Sequence, residues 1–362
     1  VTAFGVPSQL LGEDWPMGRG DRSGTGATQG ELSEQLELVW EVELGGLGFD
    51  VGPIIADGKV FAADADGKVV ALDLESGKEI WQLKQDAGFM ASPSYHDGVL
   101  YVGDFDGMLR ALDAATGKEK WTFAGEMEIN GSPNFYGELV LFTSQSGNLY
   151  AVDRESGELK WKYETGDQLQ CGATLIENRT FLGGCDGFLH VVDVETGEAI
   201  GSPLPIDSPT GSTPAVRDGL VFVPTHAGEI LAFRSPSNEL AWRFKDEQMA
   251  SEFKNSVAVA ERLVVATSRN RRLFALDAQS GEVKWEQILR KRSDASPVIA
   301  GNKIVVAAAD GRIIVSDLQT GKEQWLFEVK GSFLGSPAVA DGKLVVASDR
   351  GTIFCFGATA AK

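Results

Sequence analysis

His96, His190 and His226 are the only histidines in a chain of 362 residues, and they lie far apart in turns of different type. That spacing implies neither a zinc set nor a Ser-His-Asp arrangement, and each reads as a surface or packing residue. Asp57, Asp66, Asp97, Asp106, Asp310 and Asp341 each precede glycine, which marks them as turn formers. No glycine-rich stretch leads into Gly-Lys-Ser/Thr between a strand and a helix, so phosphate loops are not indicated. The three cysteines are an odd count with no adjacent pair. If a hairpin turns about Asn178, Cys171 and Cys185 fall opposite each other and could form a cross-strand disulfide; two unrelated buried thiols are the alternative. Cys355 occupies the slot of Ala71 and Ala111 and reads as a small core filler.

The remaining chemistry is electrostatic. The net charge is −19, which argues against nucleic acid and anionic membrane as generic partners. Against that background Arg269-Asn270-Arg271-Arg272 and Arg290-Lys291-Arg292, with Lys254 near, concentrate cations in one sector. Such a patch suits an acidic protein or an anionic ligand. Internal pairing with Asp246, Glu247, Glu252 and Asp294 is the competing reading. No segment reaches the apolar length of a membrane span.

These residues are carried by a repeat. Ala71-Leu72-Asp73-Leu74-Glu75-Ser76-Gly77-Lys78-Glu79-Ile80-Trp81 returns from Ala111 to Trp121, Ala151 to Trp161, Ala275 to Trp285 and Val315 to Trp325, about every forty residues. Each period holds four short β-branched or aromatic runs separated by Asn-Gly-type turns, as in 296–329. Four strands per period without helices predict antiparallel blades arranged radially, an all-β propeller. Trp40, Trp81, Trp121, Trp161, Trp242, Trp285 and Trp325 mark blades, and an empty slot near Gly201 makes eight. Each Trp is expected to fill the widening gap between neighbouring blades, with its ring N–H needing a partner. The last repeat stops after three strands at Ile353–Phe356, and Leu36–Val42 is an orphan fourth. Pairing the two would close the ring and remove an exposed edge.

The organisation expected is an extension over 1–35, an eight-bladed propeller over 36–357 and a tail over 358–362. The extension lacks strand rhythm and is read as a strap around Trp15-Pro16-Met17, with a tether as the alternative. Because the sequence starts at Val1, a leader is expected to have been removed or omitted. In a four-stranded meander, the link entering a blade and the turn between its second and third strands share a face. Just ahead of each inner strand stand Asp50, Met90, Asn130, Gln170, Lys254, Asp294 and Leu334. The polar members Asp50, Asn130, Gln170, Lys254 and Asp294 could hold a small polar ligand at the channel mouth, or hydrate a water-filled funnel.

The repeated phrase resembles the tryptophan-docking motif of the PQQ-like repeat propellers, over about residues 37–357. That family includes quinoprotein dehydrogenases and non-catalytic relatives, among them propellers of the outer-membrane assembly machine and sensor domains. The dehydrogenases carry an adjacent Cys-Cys pair, a calcium site and pocket-building insertions, all missing from this sequence. The resemblance therefore implies a non-catalytic, exported bacterial scaffold, periplasmic or secreted, monomeric and without cofactor, that binds another protein. A small quinoprotein alcohol or sugar dehydrogenase using pyrroloquinoline quinone with calcium is the second reading, and a ligand-sensing ectodomain the third.

Overall fold

The computed structural model describes residues 14–247 and 251–358. Within them the chain forms eight four-stranded antiparallel sheets and no helix, the eight blades of a β-propeller. Blade 1 runs from Ile54 to Lys84, blade 2 from Ser94 to Ala124, blade 3 from Asn134 to Glu164 and blade 4 from Thr174 to Pro205. Blade 5 spans Ala215 to Lys245, blade 6 Ala258 to Ile288 and blade 7 Val298 to Glu328. Blade 8 takes its inner three strands from Ala338–Ala340, Lys343–Ala347 and Thr352–Ala358, and its outer strand from Leu36–Glu43. The register pairs Trp40 with Cys355 and Val42 with Ile353. The termini thus sew the ring shut, and Cys355 is fully buried in the seam.

A recurring device aims the tryptophans. One residue just before each Trp (Val39, Ile80, Lys120, Lys160, Ala241, Lys284 or Gln324) is an unpaired bulge in the outer strand. The bulge turns the indole toward the next blade. There the ring lies flat on the turn glycine: a Cβ on Gly77 would sit 2.6 Å from Trp40, and one on Gly117 2.7 Å from Trp81. The indole N–H donates to a backbone carbonyl beside that turn, Trp40 to Leu74, Trp81 to Ala114, Trp121 to Arg154, Trp242 to Ala278 and Trp285 to Leu318. Trp325, facing blade 8 where no turn joins the outer strand, donates to Leu36 at that strand's start, and Trp161 Nε1 is buried without a partner among the described residues. Blade 4 lacks the Trp, and blade 5 lacks the receiving glycine, having Ser235-Pro236-Ser237-Asn238 instead. Ile200 and Leu204 pack across that junction in its place. The outer strand there shrinks to Leu204–Pro205.

The segment before blade 8 threads the central channel. Carbonyls of Trp15, Pro16, Arg22, Ser23, Thr25 and Gly26 accept from the N–H groups of Ile55, Tyr95, Leu175, Val216, Val259 and Ile299. It thereby visits inner strands of blades 1, 2, 4, 5, 6 and 7 in order. At blade 3, Phe135 N–H turns to its own neighbour's Asn134 side chain, whose amide donates to Arg22 and Ala173 carbonyls. Ala27–Thr28 then pairs in parallel with the inner strand of blade 7. Residues 1–13 and 359–362 of the expected extension and tail lie outside the described residues.

Two outcomes follow from these contacts. Trp40→Ala should cost about 3–5 kcal/mol and speed amide exchange in 352–358, read by calorimetry and hydrogen exchange; unchanged exchange there would refute the sewn seam. The second concerns acid. The Ser76 hydroxyl and N–H hold the Asp73 carboxyl low, Thr116 does so for Asp113 and Thr320 for Asp317, while the Ser156 N–H followed by Lys160 brings Asp153 to about 2. A carboxyl lowered by folding stabilises above its unfolded pKa, about 3.9, and loses that contribution as pH falls through the folded value. The melting temperature should drop between about pH 4 and 2, and combined Asp→Asn changes at these positions should flatten that slope.

Candidate functional site

The links entering the blades converge on one end of the channel. Asp50, Met90, Asn130, Gln170, Lys254, Asp294 and Leu334 all line a single funnel of about 300 Å³. Blade 5 contributes Gly211 at this level, and Gln170 leans over it, its Oε1 3.0 Å from where a Cβ would be. The polar members are not equivalent. Both oxygens of Asp294 accept from Arg292 Nε at 2.9 Å. Burial, then the charge of Asp349, pushes the Asp50 carboxyl up. Asn130 Oδ1 is buried without a partner. Below this ring comes a tier of hydroxyls, Ser92, Ser132, Thr213, Ser256, Ser296 and Ser336, and then the strap residues Gly18 and Arg19 as the floor.

This lining does not fit pyrroloquinoline quinone with calcium. A calcium ion takes about 6–8 converging oxygens, several from carboxylates. Among the described residues only two carboxylates, Asp50 and Asp294, line the funnel, and the second is engaged by Arg292. Among the described residues no group of three or more His, Cys, Asp or Glu could hold a metal.

The cation sector divides in two. Arg272 is buried, 5% exposed, and its guanidinium grips both oxygens of Asp246, contacts Glu286 and lies 4.9 Å above the Phe274 ring. It is therefore a structural cation and no partner can reach it. Arg292 is held by Asp294, and Arg269 is 3.8 Å from Glu252. Arg271, Arg290 and Lys291 are exposed, and among the described residues no carboxylate lies within ion-pair distance of them. Leu289 N–H donates to Arg271 O, and Arg271 Nη1 to Arg290 O, so the turn of blade 6 and the link into blade 7 form one surface. Ile288, 72% exposed, stands beside them.

The cysteines are free thiols. The hairpin of blade 4 pairs Thr174 with Phe181, centring the turn between Glu177 and Asn178. Extending that register puts Gly184 opposite Cys171, and the one-residue offset turns Cys185 to the other face. Cys171 Sγ instead contacts Gly183 O at 3.2 Å, and burial pushes its thiol up to about 12. His190 is buried with both ring nitrogens engaged, Nε2 by Asp186 at 2.7 Å and Nδ1 by Tyr163 at 3.0 Å. His96 stacks on Phe135 over the opposite channel mouth, a bowl of about 710 Å³ shaped largely by the strap. Arg19 is the residue that sequence reasoning missed. Its signal was present in the spacing of Gly18, Gly20, Gly24 and Gly26, since a Cβ at Gly26 would sit on its guanidinium and one at Gly18 on Ser132.

Comparison with known proteins agrees with this architecture. The family model described as outer membrane protein assembly factor BamB matches residues 32–235, 185–331 and 309–362. A protein of that name from Xanthomonas campestris pv. campestris is 40% identical over 58 residues, 15% of this chain and only 14% of that relative's length. The crystal structure of BamB from Moraxella catarrhalis superposes with a TM-score of 0.77 at 20% identity, covering 90% of this chain and all of the other. Quinohemoprotein alcohol dehydrogenase from Comamonas testosteroni gives 0.81 at 16% identity, over 97% of this chain and 82% of its own. At such identities the two superpositions speak for the fold alone. With the family model spanning every blade, the chain belongs to the BamB family of PQQ-like repeat propellers.

Proposed function

We propose that the chain is a non-catalytic scaffold of the bacterial envelope that presents its funnel face to an acidic protein partner. The observation carrying this reading is the trio Arg271, Arg290 and Lys291, exposed beside Ile288 and without ion-pair partners among the described residues. On a molecule of net charge −19, uncompensated cations around an exposed aliphatic side chain form a local attractive field with an apolar anchor at its centre. Such a surface steers an acidic segment and then excludes water from the contact. The family's description as an assembly factor of the outer membrane supports a protein partner and an envelope location. The funnel residues Asp50, Asn130, Gln170 and Lys254 form a polar well beside the patch. The dehydrogenase reading is weakened by a funnel whose oxygens do not converge on a metal.

A photo-crosslinker in place of Ile288 should capture an envelope protein in cells, and Arg271→Glu, Arg290→Glu and Lys291→Glu together should abolish that adduct. The triple variant should melt within about 0.5 kcal/mol of the parent, since only exposed side chains change. Capture at parental levels by a folded triple variant would dispose of the patch as a docking site. Arg272→Glu supplies the contrast. It leaves Asp246 buried beside a like charge and should destabilise by about 3–5 kcal/mol in denaturant titration.

A further inference from the structure

Arg19 poses the sharpest electrostatic problem in the molecule. The strap carries its guanidinium into the channel, where it is buried and no carboxylate lies within ion-pair distance among the described residues. Nη2 donates to the carbonyls of Val257 at 2.9 Å and Pro297 at 3.1 Å, while Nε and Nη1 find no partner. Asp21, the strap's nearest carboxylate in sequence, is committed to the Ser23 and Thr25 N–H groups and the Thr25 hydroxyl. An ionised group so little exposed, with no carboxylate paired to it, is expensive unless something supplies both charge and acceptors.

The groups around it are donors as well. Val257 and Pro297 directly follow Ser256 and Ser296, and both serines line the funnel with Arg19. Ser296 Oγ accepts from Ser256 N–H at 3.1 Å, Ser256 Oγ from Thr213 N–H at 2.9 Å, and Thr213 Oγ1 from Gly172 N–H at 3.0 Å. Each of these oxygens thus accepts one backbone N–H, and among the described residues no acceptor is recorded for the three hydroxyl hydrogens. All three residues line the funnel with Arg19. A buried guanidinium with two unpartnered nitrogens, together with three hydroxyls whose hydrogens are free to donate, is the complement of a negative charge.

We propose that the funnel floor is a binding site for a small monovalent anion, a halide or the carboxylate head of a small acid, held by Arg19, Thr213, Ser256 and Ser296. The anion supplies the countercharge that the fold withholds from Arg19. Because Arg19 belongs to the strap and the hydroxyls to blades 5, 6 and 7, occupancy ties the strap to the ring. Binding only to the docked state would then raise stability with the logarithm of anion concentration once that concentration exceeds Kd.

The test uses the full chain. Crystals soaked in sodium bromide should show an anomalous peak within contact of Arg19 Nε or Nη1 in the parent, and none there in Arg19→Gln. Melting temperatures measured against sodium chloride, and separately against sodium formate, at constant ionic strength should stay flat below Kd and rise with the logarithm of concentration above it; the two series distinguish halide from carboxylate. The Kd fitted to the onset of that rise should increase about tenfold in Arg19→Gln and about threefold in Ser296→Ala, the order expected for losing a charged and a neutral donor. Ser296→Ala keeps the guanidinium and gives a reading even where Arg19→Gln fails to fold. Bromide confined to the exterior, or anion dependence unchanged in Ser296→Ala, would overturn the proposal.

Discussion

The inner strand of every blade presents a row of backbone donors to the channel axis, and those donors must be satisfied. Water could do this in a wide channel. Here a strand of the same chain does it, its carbonyls taking the N–H groups of Ile55, Tyr95, Leu175, Val216, Val259 and Ile299 in turn. Because the strap travels around the wall as it crosses, one segment touches nearly every blade and then leaves as the outer strand of the last. Closure of the ring and filling of its centre are the work of a single run of chain, 14–43. The strap also sets the depth of the funnel and fixes Arg19 as its floor.

Around the perimeter a different interaction solves a different problem. Blades diverge with radius, and on seven of the eight outer strands an indole fills the wedge, its N–H tied at five of them to a carbonyl beside the next blade's turn. The turn glycine is required at these places because the ring occupies the space where a Cβ would be. Loss of Trp near Gly201 and loss of the receiving glycine in Ser235–Asn238 occur at the same junction, as expected if neither has value without the other. Aliphatic packing by Ile200 and Leu204 replaces the dock there.

The cations show how one composition yields two roles. Arg271 and Arg272 are neighbours, yet Arg271 ends the turn and is exposed whereas Arg272 opens the strand and is buried. Arg272 meets Asp246 and an aromatic face in a buried site, where its charge is neutralised. Arg271, lifted out by a backbone with φ of 72°, joins Arg290 and Lys291 at the surface. The attraction available to a partner therefore comes from fewer residues than the run of basic side chains suggests.

Period, turn chemistry and the missing fourth strand were enough to establish eight blades, their order and the exchange between Leu36–Glu43 and Ile353–Phe356, because a repeat's contacts lie within one unit or with the next and its pattern is local. The same local logic placed Asp50, Asn130, Gln170, Lys254 and Asp294 around one opening. It could not resolve a one-residue shift in the hairpin of blade 4, and that shift separates Cys171 from Cys185. Nor could it pair Arg272 with Asp246 in preference to solvent, or bring His190 between Asp186 and Tyr163. Arg19 was the least legible of all. Its neighbours, Thr213, Ser256 and Ser296, are roughly two hundred residues or more away in sequence, and only the curvature of the closed ring carries them to the path of the strap. What depends on nearest-neighbour repetition is written in the chain, whereas what depends on the axis of the ring exists only after the ring has closed.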